Sequence, residues 1–313
     1  MRPPKYSGFR EYEDVKEDYE REEITFTSGK NTLQGYLYGK DNTKGLVVMS
    51  HGIFSGARSY MEEALYFADH GYQVFAFDYT GYCNSEGRYC RGLRQAVRDL
   101  DAAITFTEQD EHFCDGPLFL YGHSWGGYAV TAVLTYDHDV KGVVSLSGFN
   151  EPQEIIIEWA KKEIGPAAVL VTPYVSLVQR IWVGSGCNAK AVDAINGCDT
   201  PVLIVHGSMD DVVSYKKAGI IAHRDEITNP NVTYLIRDGE KQNDHTNLYR
   251  SKEAVIYINE KNAQLQALQE EYGKKLPPET EKAFYEGIDK ERSGEMDTAF
   301  FDTVAAFYDD CIK

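Results

Sequence analysis

The sequence predicts an α/β fold: an eight-stranded, mostly parallel sheet with helices on both faces and a helical insertion late in the chain. Three observations predict it. Short β-like runs recur, helix-length segments separate them after residue 45, and one long apolar interval contains no such run. Strands that alternate with helices need right-handed crossovers, and crossovers of that kind join parallel strands.

The elements can be placed in order. Glu23–Ser28 and Leu33–Gly39 are close enough to form a hairpin. Gly45–Ser50, Gln73–Asp78, Pro117–Gly122, Lys141–Ser147, Pro201–Gly207 and Asn231–Arg237 follow. Their cores, among them VVMS, VFAF, LFLY and VLIV, are near-continuous apolar runs, as strands covered on both faces require. Helices are expected over Tyr60–His70, Gly92–Glu108, Tyr128–Tyr136, Ser214–Glu226 and Thr246–Asn259. From 148 to 196 no strand is visible. That interval holds EIIIEWAKKEIG and AAVLVTPYVSLVQRIWVGSG, too long for a simple crossover and too apolar for a disordered loop. It reads as a helical cap over the carboxyl ends of the strands. Leu265, Leu268 and Tyr272, and then Phe300, Val304 and Phe307, recur at helical spacing and suit packing against the body. The expected organisation is a core over 1–147 and 197–259, a cap over 148–196 and a C-terminal helical extension over 260–313.

Composition excludes several functions. The net charge is −17, from 49 acidic against 32 basic residues, whereas nucleic acid and anionic membrane surfaces select a basic footprint. No apolar run approaches the roughly 18 residues of a membrane span. The N-terminus has no apolar secretory region, and the six cysteines are scattered without a CxxC pair. Reduced thiols and a cytoplasmic protein are therefore expected. No metal-ligand spacing is present. GSGCNAK, beginning at Gly184, has Ala191 after its lysine where a phosphate loop has Ser or Thr, and reads as a plain loop.

The stretch FLYGHSWGGYAV, Phe119 to Val130, runs from a strand into a helix through a serine with glycines two residues to each side. A turn that tight forces its central residue toward positive φ and crowds its neighbours, and glycine relieves the crowding. Ser124 is then held clear of the backbone at a helix N-terminus, where free N–H groups favour developing negative charge. The plainer alternative is a serine that merely caps the helix. A hydroxyl is a poor nucleophile until a base takes its proton. Beyond the next two strands lie only His206, His223 and His245. His206 sits inside a strand run and His223 in an expected helix, while His245 follows the last strand in a polar loop, where a base belongs. The acid that orients it is expected at Asp210, three residues past the end of VLIVHG. Asp211 reads as a neighbouring surface acid, Glu151 as an outside candidate, and Asp78 as a residue holding its own loop. Backbone donors for an oxyanion are expected from Trp125 and from Ile53, in the turn after GLVVMSHG.

With these residues in place, the sequence resembles α/β-hydrolases of the monoacylglycerol lipase, lysophospholipase and serine aminopeptidase group. VVMSHGIFSGARSY, VFAFDYTGYCNSEG, LYGHSWGGYAV, VLIVHGSMDDVVS and the loop with Asp244-His245 fall in that group's order over roughly residues 25–258. One departure is Cys83, where the group often has a second glycine after Gly81. The resemblance implies an α/β-hydrolase fold, a Ser124–Asp210–His245 triad and no cofactor. The expected substrate is a neutral carboxylic ester with an apolar acyl or aryl part, contacted by Phe54 and by Trp159 and Trp182 of the cap. An aminopeptidase or amidase with the same triad is the alternative, with Glu151, Glu154 or Glu158 available to hold an amine. A binding protein that has lost catalysis is less consistent, since all three triad residues are present.

Overall fold

The computed structural model describes residues 6–88, 92–183 and 189–313. Its strands are β1 (Arg21–Ser28), β2 (Asn31–Tyr38), β3 (Leu46–Ser50), β4 (Gln73–Phe77), β5 (Leu118–His123), β6 (Val140–Leu146), β7 (Val202–Gly207) and β8 (Val232–Arg237). They form one sheet in the order β1-β2-β4-β3-β5-β6-β7-β8. The β1–β2 hairpin is antiparallel and β2 joins β4 antiparallel, while every pairing from β4 to β8 is parallel. The eight runs expected from sequence all become strands, each within two residues of its expected ends.

The helices are α1 (Tyr12–Val15), α2 (Met61–Asp69), α3 (Gln95–Thr107), α4 (Trp125–Ala132), α5 (Pro152–Ile164), α6 (Ala168–Val183), α7 (Ala191–Asn196), α8 (Lys252–Tyr272), α9 (Pro278–Glu286), α10 (Lys290–Gly294) and α11 (Thr298–Asp310). Two apolar cores result, one on each face of the sheet. On one face α3, α4 and α7 cover Phe75, Phe77 and Leu120. On the other, α2 and α11 cover Tyr72, Phe119 and Tyr121.

Two helical expectations need correction. Over 214–226 only Ile220–Glu226 is helical, and that as a 3-10 segment. The backbone before it is drawn into turns, because Asp210 Oδ1 accepts from the N–H groups of Val212 and Val213 and the Ser214 carbonyl accepts from Lys217 and Gly219. The helix expected over 246–259 begins at Lys252, with Ser251 capping Ala254 N, and continues to Tyr272. The boundary expected at 259/260 therefore falls inside α8. Along its second half Leu265 and Leu268 are only half-buried and Tyr272 is exposed.

The strand order fixes where a site can form. From β3 the chain turns to β4 on one side, and from β5 it turns to β6 on the other. Between β3 and β5 the connections diverge, and the carboxyl ends of these two strands leave a crevice.

Candidate active site

Ser124 occupies that crevice. It follows β5 at the N-cap of α4 with φ 58° and ψ −114°, one of five non-glycine residues with positive φ among those described. Its N–H donates to Leu146 O of the adjacent strand at 2.7 Å, and its carbonyl accepts from Tyr128 N at 3.0 Å. A Cβ on Gly122 would strike the Gly126 carbonyl, and one on Gly126 would strike the Ser50 carbonyl. Glycine at both positions is what lets the turn close this tightly.

The other two residues arrive from β7 and β8. His245 Nε2 lies 2.9 Å from Ser124 Oγ, and His245 Nδ1 lies 2.8 Å from Asp210 Oδ2. All three residues are buried. Asp210 is fixed by the two N–H groups on its other oxygen, at 2.9 and 2.8 Å. Burial by itself would raise its pKa. The hydrogen bond and positive field of His245, with His206 3.4 Å away, outweigh that and hold it below the usual carboxylate range. The His245 loop is tied down by Met209 N donating to Asn243 O and by Asp244 accepting from Thr246 N and Asn247 N.

The remaining candidates separate cleanly. Asp211 is exposed. Asp78 accepts from Ala57 N at 2.9 Å and Asn84 N at 3.2 Å, so it does hold its loop. His206 bonds to Val213 O, and His223 lies between Glu226 and Glu154. Ile53 follows Gly52 in the turn after β3 and lines the cleft, and Trp125, the first residue of α4, directly follows Ser124. Cys83 adopts φ 39°, so its loop keeps the left-handed turn that a glycine would take more easily.

A model of the serine aminopeptidase S33 family matches residues 41–185. With the sheet order and the tight turn at Ser124, this match agrees on one architecture. The chain has the α/β-hydrolase fold. Caffeoylshikimate esterase of Arabidopsis thaliana is 29% identical over 134 residues, 42% of this chain and 40% of that protein. The quorum-quenching protein AidA of Acinetobacter baumannii is 26% identical over 134 residues, 41% of this chain and 44% of that protein. The chain thus matches less than half the length of these curated relatives. Among solved structures, an esterase of Pyrococcus furiosus superposes with a TM-score of 0.60 at 18% identity, covering 87% of this chain and 97% of that one. Est1E of Butyrivibrio proteoclasticus, with ferulic acid bound, gives 0.55 at 18% identity, covering 78% and 98%.

Around Ser124 the protein has a cleft of about 370 Å³. Phe54 lines it, with φ 59° and 69% of its surface exposed. Among the described residues none from 148–196 lines it. Trp159 is partly buried against the core, and its Nε1 donates to Val212 O at 3.0 Å. Trp182 belongs to α6, but its side chain lies outside the described residues, as does the segment 184–188 with most of GSGCNAK. The N-terminal segment takes the place expected of the cap: Ser7, Phe9, Arg10 and Glu11 line the cleft. Nothing in their composition marks them beyond the aromatic at position 9.

Two further residues of the cleft escaped the sequence. His123 Nε2 lies 2.8 Å from His245 O, and its Nδ1 lies 2.8 Å from Tyr60 Oη, which accepts from Gly52 N. Glu63 is buried with Oε1 unpartnered, and burial pushes its pKa up to about 7 against the opposing field of Arg250. Among the described residues no group of three or more His, Cys, Asp or Glu could hold a metal ion, and no helix is long and apolar enough to cross a membrane.

Proposed function

We propose that the protein is a serine hydrolase that cleaves a carboxylic ester through an acyl-enzyme on Ser124. The observation that carries this reading is the hydrogen-bonded chain from Asp210 through His245 to Ser124 Oγ, at 2.8 and 2.9 Å, on three strand ends. His245 takes the hydroxyl proton as Ser124 attacks the ester carbonyl, and Asp210 holds the imidazole in the tautomer that can accept it. The tetrahedral oxyanion is received by the N–H groups of Ile53 and Trp125, at the end of α4 where the helix dipole adds to them. His245 then returns the proton to the leaving alcohol. Water, activated by the same imidazole, releases the acid. None of these steps calls for a cofactor.

An amidase or aminopeptidase would use the same triad, and Glu63 gives this second reading its one specific support. It is the weaker reading. Glu62 is taken by Arg10 and Glu11 by Arg58, and Glu63 is half neutral near pH 7. The cap glutamates Glu154 and Glu158 line a different surface recess. The small-molecule esterase reading also agrees with the esterases among the similar proteins.

A fluorophosphonate probe tests the core of the proposal. It is expected to label the wild type and to leave a folded Ser124→Ala variant unlabelled, and labelling that survives the substitution removes Ser124 from the mechanism. A parallel panel of simple esters and aminoacyl-nitroanilides separates the two readings, with turnover expected on the esters.

A further inference from the structure

A second chamber, of about 390 Å³, adjoins the Ser124 cleft, and the chemistry above assigns it nothing. The two share Phe9, Phe54 and Arg58 as common lining. Ser55, Gly56 and Cys83 line one side of the chamber, and most of the rest comes from the N-terminal segment and the C-terminal helices. Tyr6 comes from the N-terminal segment, Leu265 from α8, and Phe284 and Tyr285 from α9. These ends are fastened to each other. The Tyr6 and Tyr285 rings stack at 5.8 Å, Ser293 Oγ donates to Gly8 O, the Arg250 guanidinium lies 4.5 Å over the Phe9 ring, and Lys290 pairs with Asp14 at 2.8 Å.

The chemistry of the walls selects an occupant. Five aromatic rings face the chamber. Of its two cationic side chains, Arg58 is paired with Glu11 at 3.2 Å, and Lys261 donates to the Gly287 carbonyl and Gln264 Oε1 at 3.3 Å. With five rings on its walls, the chamber fits an uncharged aromatic group. Phe54 adds a second indication. Its ring is 69% exposed and lines both the Ser124 cleft and the chamber, so a group passing from one to the other would cover it.

Resting on the ester-hydrolase reading above, we infer that this chamber receives an uncharged aromatic group of the ester, and that Phe54, Leu265 and Phe284 set ester preference in place of the cap. Ring-on-ring contacts favour offset and edge-to-face geometries, so a flat aryl group gains more here than an alkyl chain of similar size.

The test compares kcat/KM for methyl 4-phenylbutyrate, phenethyl acetate and methyl butyrate in the wild type, Leu265→Trp and Trp159→Phe, with melting temperatures alongside. The wild type is expected to prefer at least one aryl ester over methyl butyrate by about tenfold or more. The preferred ester shows whether the acyl or the alcohol side enters the chamber. Leu265→Trp fills the chamber and should collapse that ratio, whereas Trp159→Phe should leave it in place. Equal rates on all three esters, or a ratio untouched by Leu265→Trp in a folded protein, overturns the inference. Binding of methyl 4-phenylbutyrate and of phenethyl acetate to Ser124→Ala, measured by calorimetry, keeps the two readings apart. Binding of either ester that Leu265→Trp abolishes supports the chamber even if no ester is turned over, a result that would reject the hydrolase reading alone. Absence of binding by both esters rejects the chamber.

Discussion

His123 grips the backbone of His245, the residue proposed as the base. A carbonyl only accepts, so the Nε2 facing His245 O must carry the proton. In the neutral ring Nδ1 then accepts, and Tyr60 supplies the donor while its own oxygen accepts from Gly52 N. Burial, and secondarily the neighbouring His245, push the His123 pKa down to about 3, so this one pattern holds at any ordinary pH. The chain of bonds spans the loop of the base and the turn carrying Ile53. Losing it displaces the base from Ser124 without touching substrate, and a misplacement of about 1 Å costs on the order of 100-fold in rate. His123→Ala is therefore expected to lower kcat by roughly ten- to a hundredfold with little change in KM, and His123→Gln, which keeps a donor, to recover part of the loss. Steady-state kinetics on one ester checks this, and a rise in KM at constant kcat would contradict a positioning role. Ser124, Asp210 and His245 were legible because chain order and strand ends single them out. His123 was not, because in GHSWGG a histidine that bonds to a distant backbone and one that only packs look alike.

At the scale of elements, the apolar character of the cap was legible and the direction of its apolar side chains was not. In α6 the residues Leu170, Tyr174, Leu177 and Ile181 form one stripe at helical spacing, yet their side chains are 56–82% exposed. Period reveals that a helix has an apolar face, but nothing in it says whether that face meets the body or water. Trp159 is the clearer case. It was expected to touch substrate, and instead its Nε1 holds Val212 O while Val212 N holds Asp210, so α5 is pinned to the turn that carries the acid. Removing the ring leaves a partly buried cavity and an unpaired carbonyl. Trp159→Ala is expected to cost about 2–4 kcal/mol, toward the low end for buried aromatic truncations because the side chain is only partly buried. All esters should lose rate together as far as Asp210 drifts, with their ranking unchanged. Thermal melts and the ester panel check both parts, and a changed ranking at unchanged stability would return Trp159 to the pocket.

At the scale of the whole molecule, the last helix is part of the α/β body. Residues 260–313 read as an addition because they lie beyond the motifs, and motifs report chemistry, which sits at strand ends, not on the faces of the sheet. The structure lays α11 across one face. Phe300, Phe301, Val304 and Tyr308 are buried there, Tyr308 packs 4.5 Å from Phe119, and its hydroxyl donates to Leu120 O at 2.9 Å. Phe119 and Leu120 belong to β5, the strand that ends at Ser124. Four such side chains, at about 1.5–3 kcal/mol each, amount to roughly 6–12 kcal/mol, the size of the entire stability of an ordinary domain at about 5–15 kcal/mol. The other helices on this face are α2 and the short α1, too little to shield Phe119 and Tyr121 as well once α11 is gone. A chain ending at residue 297 is therefore expected to lose its cooperative melting transition and, with it, fluorophosphonate labelling of Ser124. The point variant Phe301→Ala, which leaves the helix but opens a cavity beside Phe67 and Tyr121, should melt cooperatively at a lower temperature, about 3–5 kcal/mol less stable, and keep its labelling. Calorimetry on the two proteins decides the matter: if the truncated chain melts cooperatively within a few degrees of the wild type, α11 is an appendage and the sheet is closed without it.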